Sequence, residues 1–134
     1  MSERMDVRAP ERRRIRIRRQ SGQVAIEYLG FIPLLLLVAL LAIQLGVAAY
    51  TANQAGTAAR VAARMASKDR ADRELPPATA GRSAISDWLS DDVEFDRIPS
   101  GDEVTYTAKI KIPTVVPGID DWGVVERSST MPRD

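Results

Sequence analysis

Apolar residues in this chain are pooled in one stretch. From Tyr28 to Tyr50 inclusive there are 23 residues without a single Asp, Glu, Lys or Arg, long enough to cross a bilayer core of about 30 Å as a helix. The helical pattern continues beyond that run. Ala recurs at Ala48, Ala52, Ala55, Ala59, Ala62 and Ala66, spaced 4, 3, 4, 3 and 4 in the manner of a heptad seam, with Leu41 and Leu45 extending it upstream. Because Ala has the highest helix propensity, one helix is predicted over about residues 23–70, roughly 70 Å long at 1.5 Å per residue. Such small side chains bury little area but let backbones approach closely. They suit contact with another helix and equally suit packing on a globular domain of the same chain. Pro33 removes one backbone donor inside the apolar run and is expected to kink or loosen the helix there.

The pattern then breaks at Glu74–Gly81, ELPPATAG, where Pro76 and Pro77 are expected to end the helix. Ile85, Trp88 and Leu89 stand 3 and 4 apart, predicting a short amphipathic helix over about 82–89. Beyond it the period becomes two. Val93 and Phe95 alternate with charged neighbours, and Ser100-Gly101-Asp102 supplies a turn. Val104, Tyr106, Ala108, Ile110 and Ile112 alternate with Thr105, Thr107, Lys109 and Lys111. Strands are therefore predicted near 92–97, 103–112 and 122–129, the last following a loop with Pro113, Pro117 and Gly118. So thin a sheet has little core of its own and is expected to lean on the long helix. The fold class predicted is α+β, a single-pass membrane protein with a small antiparallel sheet. Its expected segments are a basic leader over 1–22, the long helix over 23–73, a Pro-rich linker over 74–81 and a small α+β domain over 82–134.

Charge orients this arrangement. Residues 1–22 carry eight Arg against Glu3, Asp6 and Glu11, a net of +5, whereas residues 60–134 carry 11 basic and 14 acidic side chains, a net of −3. Basic residues beside a spanning segment stay on the cytoplasmic side during insertion. The N-terminus is therefore expected in the cytoplasm and the C-terminal domain outside it, at a bacterial plasma membrane. A basic tail can also bind nucleic acid, but beside a spanning segment the orientation reading takes precedence, and no nucleic-acid partner is expected. Composition narrows the chemistry further. With neither His nor Cys in the chain, there is no imidazole base, thiolate nucleophile, disulfide or structural zinc cluster. Asp91-Asp92 and Asp120-Asp121 lack the spacing of a metal-wrapping loop and are expected to be solvated turn residues. Trp88 and Trp122 are expected as core or domain-to-helix contacts, and Gln44 as a hydrogen-bonding group toward another helix. No enzyme activity, cofactor or metal is expected.

The most informative stretch is Ser21-Gly22-Gln23-Val24-Ala25-Ile26-Glu27-Tyr28. An acidic residue at the centre of a spanning helix costs about 2.5–3.5 kcal/mol. Glu27, near the end of the run, can reach the head groups or neutralise a leader Arg. Its neighbours point elsewhere. Basic residues precede Gly22, Glu27 stands fifth after it, and an aromatic residue follows; this resembles the processing signal of type IV pilins and pseudopilins. GQVAIEYLGFIPLLLLVALLAIQLG and the Ala-rich helix ending AARVAARMAS resemble the TadE-like family of tight-adherence pilus systems, across roughly residues 21–67.

The resemblance implies cleavage between Gly22 and Gln23 by a membrane aspartyl protease, the prepilin peptidase, with Gln23 as the new and often N-methylated N-terminus. Gly22 suits an extended backbone entering a tight cleft. The resemblance further implies that Glu27 pairs with the α-amino group of a neighbouring subunit, which is largely protonated at neutral pH. The expected partners are the membrane, the peptidase, other pilins or pseudopilins and the inner-membrane assembly platform. The expected role is structural, that of a minor pilin or pseudopilin. An uncleaved single-pass anchor with an extracytoplasmic binding domain is the alternative. A module released by signal peptidase near Ala49 and an enzyme with an unrecognised carboxylate site are more distant ones.

Overall fold

A computed structural model of the chain describes Ser2 and residues 15–133, with side-chain surroundings given for Ser2 and from Gly22 to Arg133. Most of the predicted basic leader lies outside the described residues. The chain divides into two compact units, Met1–Ala39 and Leu40–Asp134. Helix α1, Ile15–Ser67, contributes to both.

In the first unit the described residues from Ile15 onward form one helical segment. It begins at Ile15, earlier than the apolar pattern predicts, and passes through the Gly22–Gln23 bond and Pro33 without leaving the helical state. Its large apolar side chains are uncovered: Ile26 is 70% exposed and Leu29 68%. Water is a poor solvent for such a surface, since each Å² left exposed forgoes about 25 cal/mol. Among the described residues, one helix is long and apolar enough to cross a membrane, and it is α1.

The second unit packs the remainder of α1 against a three-stranded antiparallel sheet in the order β1-β2-β3, comprising β1 Val93–Ser100, β2 Glu103–Lys111 and β3 Val124–Pro132. Gly101, with a φ of 54°, sits in the tight connection between β1 and β2, a backbone conformation that side-chain-bearing residues seldom adopt. The alternation in β2 decides which face is covered. Val104, Tyr106, Ala108 and Ile110 are buried, whereas Lys109 and Lys111 point the other way. Two apolar clusters result. Ala55, Ala58 and Ala59 pack with Ile85, Leu89, Val93, Ala108 and Ile110. Ala62, Ala63 and Ala66 pack with Val104 and Tyr106, while Phe95 adjoins both clusters. Small residues on the helix thus meet large ones on the strands.

The region before the sheet departs from its prediction. In place of one helix over 82–89 there are two short ones, α2 Pro77–Ser83 and α3 Asp87–Ser90, after a single 3-10 turn at Arg70–Asp72. Pro76-Pro77 does not stop α1, which already ends at Ser67, nine residues upstream; Pro77 instead starts α2 from its first turn. There the missing N–H has no intrahelical partner to lose and the fixed φ is already helical. Gly81 then brings α2 against α1: a Cβ at that position would stand 2.7 Å from the Ala58 carbonyl oxygen and 2.8 Å from Phe95 Cζ. The end of α1 is closed by Arg73, whose guanidinium donates to the carbonyls of Ala66 at 2.8 Å and Lys68 at 3.1 Å. A cation there also complements the negative end of the helix dipole.

Candidate processing and assembly site

Gly22 and Gln23 are adjacent in α1, Glu27 stands one turn after Gln23, and all three are exposed. The helical ladder positions them, since residues four apart share a face. Glu27 is followed on its face by Phe31 and Leu35, and Tyr28 by Ile32. These five side chains line an open recess of about 300 Å³ on one side of the helix. A single carboxylate stands at the edge of an otherwise apolar surface. Nothing else follows it until Arg60, which is the next charged residue in the sequence. In lipid, a carboxylate so placed is stabilised by a cation brought to it or by the aqueous boundary.

Gly22 is open on all sides, and a side chain placed there would meet nothing within 4 Å. Its conformation is helical, whereas a protease cleft takes an extended strand, so the bond after Gly22 must unwind to be cut. Gly lowers that barrier because it is the poorest helix former after Pro, by about 1 kcal/mol relative to Ala. The same residue type thus meets the steric need and the conformational one.

The Ala seam divides between its two possible roles. Ala48 and Ala52 are partly exposed, but Ala55, Ala59, Ala62 and Ala66 are covered by the sheet and short helices of their own chain. Of the two roles expected for the seam, these four positions take the intramolecular one. Ala58 and Ala63, absent from the heptad pattern, belong to the same core. A stripe of small residues specifies a close neighbour without identifying it. The identifying signal is the row of larger residues in β2.

Gln44 is corrected from a bond toward another helix to one within its own chain. Its side chain is 1% exposed and serves the second unit itself: Nε2 donates to the Pro113 carbonyl at 2.9 Å, and Oε1 accepts from the Val115 N–H at 2.8 Å. The amide thus imitates a strand neighbour for the loop between β2 and β3. Gln54 acts similarly at one point, accepting from the Ser86 N–H at 3.0 Å. Trp88 makes the predicted contact with the helix, stacking on Tyr50 with ring centroids 5.7 Å apart and planes 7° apart, yet it stays 54% exposed. Trp122 is partly buried and its Nε1 has no hydrogen-bond partner.

The acidic pairs Asp91-Asp92 and Asp120-Asp121 are exposed, and Asp121 accepts from the Gly123 N–H at 2.8 Å within its own turn. Among the described residues no group of three or more carboxylates converges as metal ligands. Lys109, on the outer face of the sheet, stands 2.7 Å from Asp96 and 3.8 Å from Glu126. Its ammonium is held above the ordinary Lys range, first by the hydrogen bond to Asp96 and then by the charges of Asp96 and Glu126.

A family model described as TadE-like protein matches residues 22–64. The match opens at the glycine of the candidate processing site and closes within the buried part of the seam. No curated protein and no solved structure matches the chain.

Proposed function

From the TadE-like segment at residues 22–64, which suggests a pilin-like protein associated with a tight-adherence pilus, we propose that this chain is a minor pilin or pseudopilin acting structurally in pilus assembly. It is the substrate of an enzyme and not an enzyme. A prepilin peptidase removes residues 1–22 on the cytoplasmic side, and the helix beginning at Gln23 remains in the membrane with the sheet outside. The observation that carries this reading is the pairing of Gly22 with a solitary exposed carboxylate five residues later on an apolar helix. Glu27 gives that helix a register. It is costly alone in lipid and stabilised once the new α-amino group of a neighbour lies against it, and removing one partner of such a buried pair costs about 3–5 kcal/mol.

Mass spectrometry of the protein from the membrane fraction tests the proposal directly. The expected N-terminus is Gln23, and Gly22→Leu should abolish that product and leave a larger chain on a gel. An N-terminus at Met1 or Ser2 in wild type would favour a second reading, an uncleaved anchor carrying an extracytoplasmic binding domain. The continuity of α1 from Ile15 across the Gly22–Gln23 bond is the observation that favours it.

A further inference from the structure

The Gln44 clamp fixes where the membrane must end. The loop between β2 and β3 is hydrogen-bonded to a residue of α1 that lies within the charge-free run. Lipid-exposed loop backbone is not tolerated in hydrocarbon, because its N–H and C=O groups find no partners there. The hydrocarbon-spanning part of α1 therefore stops short of Gln44. Val24 to Ile43 leaves 20 residues, about 30 Å of helix and the thickness of a bilayer core. Apolar and aromatic side chains of the second unit lie uncovered around this boundary, beside the exposed Thr114. Leu45 is exposed on the helix, Val115 and Ile119 on the clamped loop, and the Tyr50–Trp88 stack one to two turns farther along α1.

We propose that this face of the second unit is a membrane-interface platform: Val115 and Ile119 enter the upper edge of the acyl region, and the stacked rings of Tyr50 and Trp88 lie among the lipid head groups. The chemistry of each group suits its depth. Trp and Tyr favour the head-group layer, where an apolar ring and a polar edge are both accommodated. The Tyr50 hydroxyl already bonds the Ser86 hydroxyl, so its polar edge is satisfied while the ring faces remain apolar. Asp120 and Asp121, next to Ile119, are exposed carboxylates that anionic lipid would repel. The attraction is therefore apolar insertion and not charge, and it holds in zwitterionic lipid. The occupant is a lipid surface because the patch flanks, within the second unit, the end of the charge-free run, where Leu41, Ile43 and Leu45 are exposed on either side of Gln44.

The absence of Cys from the sequence makes a site-directed test simple. Single-cysteine variants of the full chain, Val115→Cys, Ile119→Cys, Leu36→Cys and Asp102→Cys, are spin-labelled in phosphatidylcholine bilayer discs. Collision rates with oxygen and with a water-soluble nickel chelate are then compared. Leu36 reports the span, and Asp102 lies in the β1–β2 turn at the other end of the sheet. Labels at 115 and 119 should show an oxygen-to-nickel ratio several-fold above that at 102, approaching that at 36. A lipid-like value at 36 with values at 115 and 119 equal to that at 102 would overturn the platform while leaving the membrane span intact. A water-like value at 36 would overturn the span and the platform together. Neither outcome depends on cleavage after Gly22, so the pilin reading is tested separately.

Discussion

The two stretches of α1 on either side of Gln44 are built from different stock. From Val24 to Ile43 the helix carries Leu, Ile, Val, Phe and Tyr, nearly all exposed, whereas from Thr51 to Ala66 its inward stripe is Ala and nearly all buried. The usual expectation, that large apolar residues are inside and Ala is indifferent, is reversed within one element. Side-chain size here records who supplies the cover. The second stretch is covered by strands of its own chain, which contribute Val104, Tyr106 and Ile110, so the helix must supply small residues for the backbones to approach. The first stretch leaves its large side chains exposed. Its bulky surface is suited to lipid, and Glu27 is the one charged residue among its exposed apolar side chains.

Several substitutions would break or sharpen this contrast. The largest effect is expected from Glu27→Ala. Membrane insertion should be retained or improved, while incorporation into sheared filaments, followed by immunoblot against the membrane fraction, should be lost completely. Wild-type incorporation would remove the pairing role from Glu27. A matched pair of changes then addresses cover itself. Ala59→Leu should overpack the buried stripe and destabilise the second unit by about 1–3 kcal/mol or more, read as a lower unfolding midpoint in detergent. Leu36→Ala, on the exposed stretch, should shift that midpoint by no more than about 0.5 kcal/mol. Equal effects would dissolve the distinction between the stretches. At the boundary, Gln44→Leu leaves the Pro113 carbonyl and the Val115 N–H without their partner and should cost about 1–3 kcal/mol, with faster amide exchange confined to residues 112–123.

The smallest effect lies on the outer face of the sheet. Lys109 has its pKa raised on folding, chiefly by Asp96. Its contribution to stability is therefore complete below the ordinary Lys value of about 10.4 and is lost as pH rises through the higher folded value. Wild type should lose stability across that alkaline range relative to Lys109→Met, and the two should converge once the ammonium is deprotonated.

How much of this was readable from sequence follows from how local each signal is. The charge-free run, the alternation in Val104–Ile110 and the Gly101 turn are consecutive in the chain, so the helix, the central strand and the hairpin are legible there. Gly22 and Glu27 are legible for the same reason, being five residues apart on one element. Gln44 is not, because its partners Pro113 and Val115 lie 69 and 71 residues away, and a polar amide in an apolar run looks the same whichever chain it bonds. The Ala stripe is ambiguous for a related reason: smallness states the distance to a neighbour and not its identity. Pro76-Pro77 misled because the dipeptide marks the start of α2 and not the end of α1, which stops at Ser67 before it.

The hydroxyl pairs across β2 and β3 have a practical corollary. Thr105 meets Thr130 at 2.6 Å and Thr107 meets Ser128 at 2.7 Å on the side of the sheet turned away from α1. Those strands are laced together by hydroxyl pairs, of which Thr107 is itself buried while Ser128 and Thr130 are exposed. The exposed edge-strand positions of this flank, Ser128 and Thr130, are where a dye can be attached with little disturbance to the buried face.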